Sequence, residues 1–252
     1  VGGKQCIFNL CLALLEPDDE VIIPAPYWVS YTDIVQLTGA KPVIVQCGIE
    51  QSFKMTPKQL SSVISKNTKL IFLNSPSNPT GAVYSKAELR DLADILLDHP
   101  HVFIGTDDIY EHISLNETPF NNILMIEPKL KSRVIVLNGV SKAYSMTGWR
   151  IGYAGASKEI IKSMAKIQSQ STTNPSSISQ YAALEALKGE EEFIFKNNQI
   201  FKKRRDLITD VINDSHGLSV SQPSGAFYLF PSCAELIGSK TKSGVILSDD
   251  FA

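Results

Sequence analysis

The sequence has few of the features that mark membrane, metal-binding or nucleic-acid-binding proteins. Its 252 residues carry a formal net charge of −2, so bulk electrostatics favour neither nucleic acid nor an anionic membrane surface. No apolar run approaches the roughly 20 residues that a membrane-spanning helix needs. The four histidines have no metal-ligand spacing. These absences predict a protein without a metal, a membrane or a nucleic acid as its partner.

Cysteine is also scarce and scattered. The four cysteines, Cys6, Cys11, Cys47 and Cys233, show no paired spacing, and the first two share one apolar helical pattern. This usage indicates the reducing cytoplasm rather than a disulfide scaffold. The chain starts at Val1 without an initiator methionine or targeting segment, and its first residues already belong to a motif. We therefore expect a fragment of a longer protein.

What the sequence does contain is a regular alternation of two patterns. Short β-branched runs alternate with amphipathic helical segments, which is typical of an α/β sheet covered by helices on both faces. Thr56-Pro57 and the capping box Ser85-Lys-Ala-Glu88 indicate two helix starts. The pattern predicts helices at residues 4–15, 56–65, 85–97, 175–187 and 190–213.

One lysine lies between two strand-like runs. Residues 133–137 lead into a polar turn that presents Lys142, and residues 150–154 return with Arg150 at their start, eight positions after the lysine. An amine can form a Schiff base with an aldehyde, and a guanidinium can bind a phosphate through two hydrogen bonds. Pyridoxal 5′-phosphate carries both groups. A single lysine is more often a solvated surface residue, so the assignment of Lys142 to a site depends on other motifs in the chain.

Four further motifs precede this segment. The sequence Gly2-Gly3-Lys4-Gln5 opens a helical pattern, and Trp28 follows the apolar run 21–23 in a Pro-Ala-Pro-Tyr-Trp sequence. The sequence Asn-Ser-Pro-Ser-Asn-Pro-Thr-Gly at 74–81 follows a third strand-like run. Asp107 and Tyr110 follow a fourth, at 101–105. In this order the five motifs resemble the class I aminotransferases, pyridoxal-phosphate enzymes of fold type I, across essentially the whole chain.

The resemblance implies a fold and a division into domains. Fold type I has a mostly parallel sheet covered by helices on both faces, here with part of a small α+β domain. We expect residues 1–205 to form the cofactor-binding large domain and residues 206–252 to begin the small domain. Strands near 218–221 and 226–230 would start its sheet, and the charged segment 190–213 would connect the domains.

The resemblance also implies the roles of site residues. Lys142 would be the catalytic residue, holding the cofactor aldehyde and then moving a proton between the substrate α-carbon and cofactor C4′. Asp107 would pair with the pyridine nitrogen; Asp108 competes, but the family places the aspartate three residues before its tyrosine, here Tyr110. The expected cofactor-binding set is Gly3, Lys4, Gln5, Trp28, Asn78, Asp107, Tyr110, Ser141, Lys142 and Arg150.

Different residues of this set would bind different parts of the cofactor. The phosphate would lie at the helix start near Gly3, with Arg150 and the Ser141 hydroxyl. Tyr110 and Asn78 would hydrogen-bond the phenolic oxygen, and Trp28 would stack on the ring. The expected substrate residues are Lys4, Trp28 and Asn78, with Lys4 binding the distal carboxylate of an acidic substrate.

Each of these residues has a simpler interpretation when it is taken alone. Asn78 is a favourable turn residue before proline, and Tyr110 or Trp28 could belong to the core. Lys4 could only neutralise phosphate. The paired glycines are not a dinucleotide fingerprint, because no G-x-G-x-x-G is present.

The activity implied by the resemblance is transamination, in the subgroup of aspartate and aspartate/prephenate aminotransferases. The expected reaction converts aspartate and 2-oxoglutarate to oxaloacetate and glutamate, by a homodimer. A prephenate or aromatic aminotransferase, a β-lyase or decarboxylase, and a non-catalytic cofactor-binding fragment remain open. After Arg150 the only arginines are Arg204 and Arg205, which match no substrate motif. We therefore expect this chain to bind the cofactor but to transaminate poorly.

Overall fold

The computed structural model describes residues 1–116 and 119–249. Within them six strands form one sheet: β1 (Glu20–Ala25), β2 (Lys41–Gln46), β3 (Thr68–Asn74), β4 (Phe103–Asp107), β5 (Val134–Gly139) and β6 (Gly152–Gly155). Their order across the sheet is β2-β1-β3-β4-β5-β6. All neighbouring strands are parallel except β5 and β6, which are antiparallel. The mostly parallel α/β sheet predicted from the sequence is confirmed.

Eight α-helices accompany the sheet within the same residues. They are α1 (Gly3–Leu14), α2 (Ser30–Leu37), α3 (Pro57–Val63), α4 (Lys86–Asp98), α5 (Ile123–Ile126), α6 (Lys158–Ser169), α7 (Ser177–Lys188) and α8 (Glu192–Asn213). The predicted N-caps of α3 and α4 are confirmed, since Thr56 and Ser85 each form a complete capping box. The helices α2, α5 and α6 and the strand β2 were not predicted from the sequence.

Helices cover both faces of the sheet. Ile71 and Ile104 pack in one buried cluster with residues of α3, α4 and α5. Phe72 and Leu137 pack on the opposite face with residues of α1, α2 and α6. Successive strand residues point to opposite faces, so a sheet buried on both sides needs nearly continuous apolar strands. The strand-like runs of the sequence have this composition.

The carboxyl ends of three neighbouring parallel strands lie together. The strands β3, β4 and β5 end at Asn74, Asp107 and Gly139, and Asn74 is paired in register with Asp107. In open α/β sheets ligands bind beside these ends. The motifs that follow β3, β4 and β5 therefore converge at one edge of the sheet.

The expected second sheet is not present in the described part of the chain. Residues 218–221 and 226–230 form no strand; they take part only in two isolated bridges or lie beside them, Ser219 with Ser232 and Ser114 with Gly225, and a third bridge joins Lys240 and Ile246. The segment turns because Ala226 has φ of 55°, and the Ala226 N–H donates to the Ile113 carbonyl at 2.9 Å. The Ala226 N–H is therefore bound to the loop that follows β4 rather than to a strand, and the strand prediction was wrong.

The predicted domain boundary at 205/206 falls inside α8, a continuous helix. Arg205 is buried there, and its guanidinium donates to the Leu115 and Pro223 carbonyls and to the Asn116 side chain. This arginine therefore ties α8 to two loops, and the division into domains stays a prediction. Among the described residues no helix is both long and apolar enough to cross a bilayer, and no group of His, Cys, Asp and Glu side chains could hold a metal ion.

Candidate active site

The amino end of α1 lies against the backbone of β6. Gly2, which precedes the helix, has φ of 82°, and no side chain caps the first turn. A Cβ atom at Gly152 would lie 2.4 Å from Gly2 C and Gly3 N, so this approach of two backbones requires glycine. The uncapped N–H groups and the helix dipole favour an anion at this position.

The Arg150 guanidinium lies beside the same helix end. A Cβ atom at Gly2 would lie 2.4 Å from Arg150 Nη2, which shows how closely the side chain covers that glycine. Arg150 itself has a left-handed backbone with φ of 55°, and its Nη1 donates to the Thr147 carbonyl at 2.7 Å. The predicted strand start at 150 is therefore displaced to Gly152, and the turn carries the guanidinium to α1.

Lys142 lies in the turn between β5 and β6, as the sequence predicted. Its Nζ is 5.9 Å from the centroid of the Tyr110 ring and 5.7 Å from that of Phe227. Partial burial lowers the pKa of the Lys142 amine below its usual value, and the Arg150 charge lowers it further. A lowered pKa increases the share of neutral amine, which is the nucleophilic form.

The two adjacent aspartates face different surroundings. Asp107 ends β4 in the cavity, where its carboxylate accepts a hydrogen bond of 2.6 Å from the Tyr31 hydroxyl. Asp108 accepts instead from Thr106 Oγ1 and, at 2.7 Å, from Asn122 Nδ2. Burial raises the pKa of both carboxyls, that of Asp108 to about 7. Only Asp107 lines the cavity.

Two asparagines connect the end of β3 to the site. The Asn74 side chain donates to the Asp107 carbonyl and accepts from the Asn78 N–H, both at 2.8 Å. Burial raises the pKa of the Tyr110 hydroxyl, while a hydrogen bond from the Asn78 side chain opposes this. Asn74 thus orients the loop that brings Asn78 to Tyr110.

Trp28 and Lys4 form the opposite wall. The Lys4 Nζ lies 4.9 Å from the centroid of the Trp28 ring, within the range of a cation–π contact. The Trp28 ring packs edge-on against Tyr31 at 5.5 Å, and Tyr31 stacks on Phe72 at 4.8 Å. The aromatic wall is therefore anchored in the core beneath the sheet edge.

These residues enclose a single cavity of about 220 Å³. Nine of the ten predicted cofactor-binding residues line it; Gln5 is the exception, because its side chain turns along α1 and donates to Asn9 at 2.8 Å. The sequence analysis missed five lining residues: Ile7, Tyr31, Asn74, Ile109 and Thr147. Asn74 had a usable signal, since it directly follows a buried run, as Asp107 does. Tyr31 had a weaker one, its spacing of three from Trp28 in a helical segment.

Comparisons with known proteins point to one family. The family profile described as "Aminotransferase class I and II" matches residues 1–249. An aspartate/prephenate aminotransferase from Cereibacter sphaeroides is 51% identical over 251 residues, covering 100% of this chain and 63% of that protein.

Solved structures agree with this match. The crystal structure of the aspartate aminotransferase from Rhizobium meliloti has a TM-score of 0.97 and 48% identity, over 99% of this chain and 62% of that one. An aspartate aminotransferase from Thermus thermophilus with maleate has a TM-score of 0.86 and 42% identity, over 92% of this chain and 60% of that one. The chain thus spans 60% to 63% of the length of these relatives.

Proposed function

Because the chain belongs to the class I and II aminotransferase family, we propose that its cavity binds pyridoxal 5′-phosphate and that the whole protein is a transaminase. The membership itself confirms the resemblance found in the sequence. The observation that carries the proposal is the convergence of an amine, a guanidinium, a free helix end and a buried carboxylate on one cavity of about 220 Å³.

The donor set in the cavity fits this cofactor. Arg150 brings positive charge beside the amino end of α1, which suits a phosphate dianion. Asp107 presents a carboxylate with acceptor capacity beyond the Tyr31 hydrogen bond, which suits a protonated ring nitrogen. Trp28 offers an aromatic face for a ring. When bound, pyridoxal 5′-phosphate supplies an aldehyde that condenses with amines and a ring that accepts electrons.

The residues then have separate tasks in amino transfer. Lys142 Nζ would bind the cofactor and, once released, would move a proton from the substrate α-carbon to the cofactor C4′. Its lowered pKa assists both roles, since the neutral amine is nucleophile and base. Asp107 holds a proton at the ring nitrogen. Tyr110 and Asn78 donate to the phenolic oxygen, which orients the ring relative to Lys142.

Lys4 gives the proposal its substrate class. Its amine lies over Trp28 at the rim of the cavity, where it can bind the distal carboxylate of aspartate or glutamate. We therefore propose the pair aspartate and 2-oxoglutarate, giving oxaloacetate and glutamate. The relatives described as aspartate and aspartate/prephenate aminotransferases support this choice.

We also propose that the whole protein is a homodimer and that the small domain begins near residue 206. Large apolar side chains of α7 and α8 support a covered face on these helices. Ile178 and Tyr181 are about three quarters exposed, and Phe195 is 65% exposed.

Covalent labelling tests the central assignment. We expect borohydride reduction of the chain with pyridoxal 5′-phosphate to label the peptide that contains Lys142, detected by mass spectrometry. Lys142→Ala should remove the label, and Lys162→Ala, at an exposed position of α6, should keep it. A label that persists in Lys142→Ala would contradict the assignment. In a separate sample that is not reduced, adding aspartate to the whole protein loaded with pyridoxal 5′-phosphate should convert the aldehyde form of the cofactor to the amine form, which a β-lyase or decarboxylase need not do.

A further inference from the structure

Tyr228 makes a contact that none of the roles above requires. Its hydroxyl oxygen lies 2.6 Å from the hydroxyl oxygen of Tyr110, and the two rings meet edge-on with centroids 5.6 Å apart. Tyr110 is buried and lines the cavity, whereas Tyr228 lies behind it and does not line the cavity. The two residues are separated by 118 positions in the sequence.

The backbone holds Tyr228 firmly behind Tyr110. The Gly225 N–H donates to the Gly81 carbonyl at 3.1 Å, and the Ala226 N–H donates to the Ile113 carbonyl at 2.9 Å. Ala226 is fully buried in a cluster that includes Tyr110. The segments that carry Tyr110 and Tyr228 are therefore tied to each other by the backbone as well as by the contact between the hydroxyls.

Either hydroxyl could donate in this contact, and the direction depends on where the Tyr110 proton points. Burial raises the pKa of Tyr110, so its hydroxyl keeps its one proton at neutral pH. If that proton is donated into the cavity, the Tyr110 oxygen has only acceptor capacity left for its neighbour. Tyr228 must then be the donor in the contact of 2.6 Å.

We propose that Tyr228 is a positioning residue: its hydroxyl donates to the Tyr110 oxygen and so directs the Tyr110 proton into the cavity, toward the phenolic oxygen of the cofactor. This inference rests on the proposed cofactor binding. A hydroxyl that accepts one hydrogen bond becomes a stronger donor in the next, because consecutive bonds polarise one another. Tyr228 would therefore favour, through Tyr110, the anionic form of the phenolic oxygen of the bound cofactor.

A shift in the pH midpoint of the visible absorbance of the loaded protein is the expected signature. A stronger donor at the phenolic oxygen favours its anionic form and lowers this midpoint. Tyr228→Phe keeps the ring packing and removes only the donor, so the midpoint should rise by about 0.3 to 0.5 of a pH unit. A shift of this size corresponds to a modest fraction of the free energy of one hydrogen bond. Tyr153→Phe is the matched control, because Tyr153 is exposed on β6 and does not line the cavity.

A double-mutant cycle separates this role from a purely structural one. If Tyr228 acts through Tyr110, Tyr228→Phe should shift the midpoint in the wild-type background and add no shift in the Tyr110→Phe background. An equal shift in both backgrounds would overturn the proposal, as would an unchanged or lowered midpoint in Tyr228→Phe. A lowered midpoint would mean that Tyr110 donates to Tyr228 instead.

A second measurement distinguishes failure of this inference from failure of cofactor binding. The same four proteins can be unfolded in urea without the cofactor. The changes in the free energy of unfolding caused by Tyr110→Phe and Tyr228→Phe should not add up in the double mutant, because the two hydroxyls are bonded to each other. If the wild-type chain bound no pyridoxal 5′-phosphate, the proposed function would fail whatever this cycle showed. If it bound the cofactor but the cycle were additive, the contact between Tyr110 and Tyr228 would be refuted while the proposed function stood.

Discussion

Asp108→Asn should remove a loss of stability that the wild-type chain suffers as pH rises. The Asp108 side chain is only 1% exposed, and burial raises the pKa of its carboxyl from 3.8 to about 7, despite hydrogen bonds from Thr106 and Asn122. The nearby Asp107 and Glu111 charges raise this pKa further. Because the folded-state value exceeds the unfolded one, the contribution to stability is fully present below pH 3.8 and is lost as pH rises through 7.

The magnitude follows from linkage. Each pH unit between the two pKa values changes the free energy of unfolding by about 1.4 kcal/mol. Two units from pH 5 to pH 7 give at most about 3 kcal/mol, and half-titration at pH 7 reduces this to about 2 kcal/mol. Asparagine does not titrate, so the variant gains this amount relative to the wild type. The altered hydrogen bonds with Thr106 and Asn122 add an offset that does not change with pH.

Urea unfolding of the cofactor-free chain at pH 5, 6, 7 and 8, followed by circular dichroism, measures the effect. The difference in unfolding free energy, Asp108→Asn minus wild type, should grow with pH and level off above pH 7. Asp33→Asn, at an exposed position of α2, should show a constant difference. A constant difference for Asp108→Asn as well would refute the argument, because Asp108 would then be ionised in the folded protein throughout this range.

Two further predictions concern the phosphate end and the substrate end of the cavity. Gly152→Ala should weaken binding of pyridoxal 5′-phosphate at least tenfold in a fluorescence titration, since its Cβ would lie 2.4 Å from the start of α1. Gly155→Ala, with open space around it on the same strand, should leave the affinity unchanged. Equal losses of affinity in the two variants would show that the close approach of Gly152 to α1 does not matter. Lys4→Ala should weaken binding of a dicarboxylate such as maleate about tenfold while an aromatic monocarboxylate is little affected, as expected for the loss of one ion pair at a partly desolvated site. If cofactor affinity falls instead, Lys4 serves the phosphate.

Much of the fold was predictable because it depends on local features. The caps at Thr56 and Ser85 and the apolar runs that became β1, β3, β4 and β5 use interactions within a few residues. The expected strands at 218–221 and 226–230 had suitable composition as well. The first failed because the Val220 N–H binds the Asn213 side chain. The second failed because Ala226 has a left-handed φ and its N–H donates to Ile113 in a distant loop, which local composition does not encode.

The candidate site also has features that the sequence predicts and features that it does not. The sequence by itself determined the motifs, their order and the spacing of Lys142 and Arg150, since strand ends and turns are read from neighbouring residues. Alternation along β4 also required Asp107 and Asp108 to point to opposite sides. The sequence favoured Asp107 through the resemblance alone, and the physical reason that Asp107 faces the cavity lies in the tertiary structure. The packing of α2 places the Tyr31 hydroxyl against Asp107, while Asn122, before α5, meets Asp108. Tyr228 reaches Tyr110 for the same reason, because a hydrogen bond across 118 residues depends on how the chain packs and not on its local pattern.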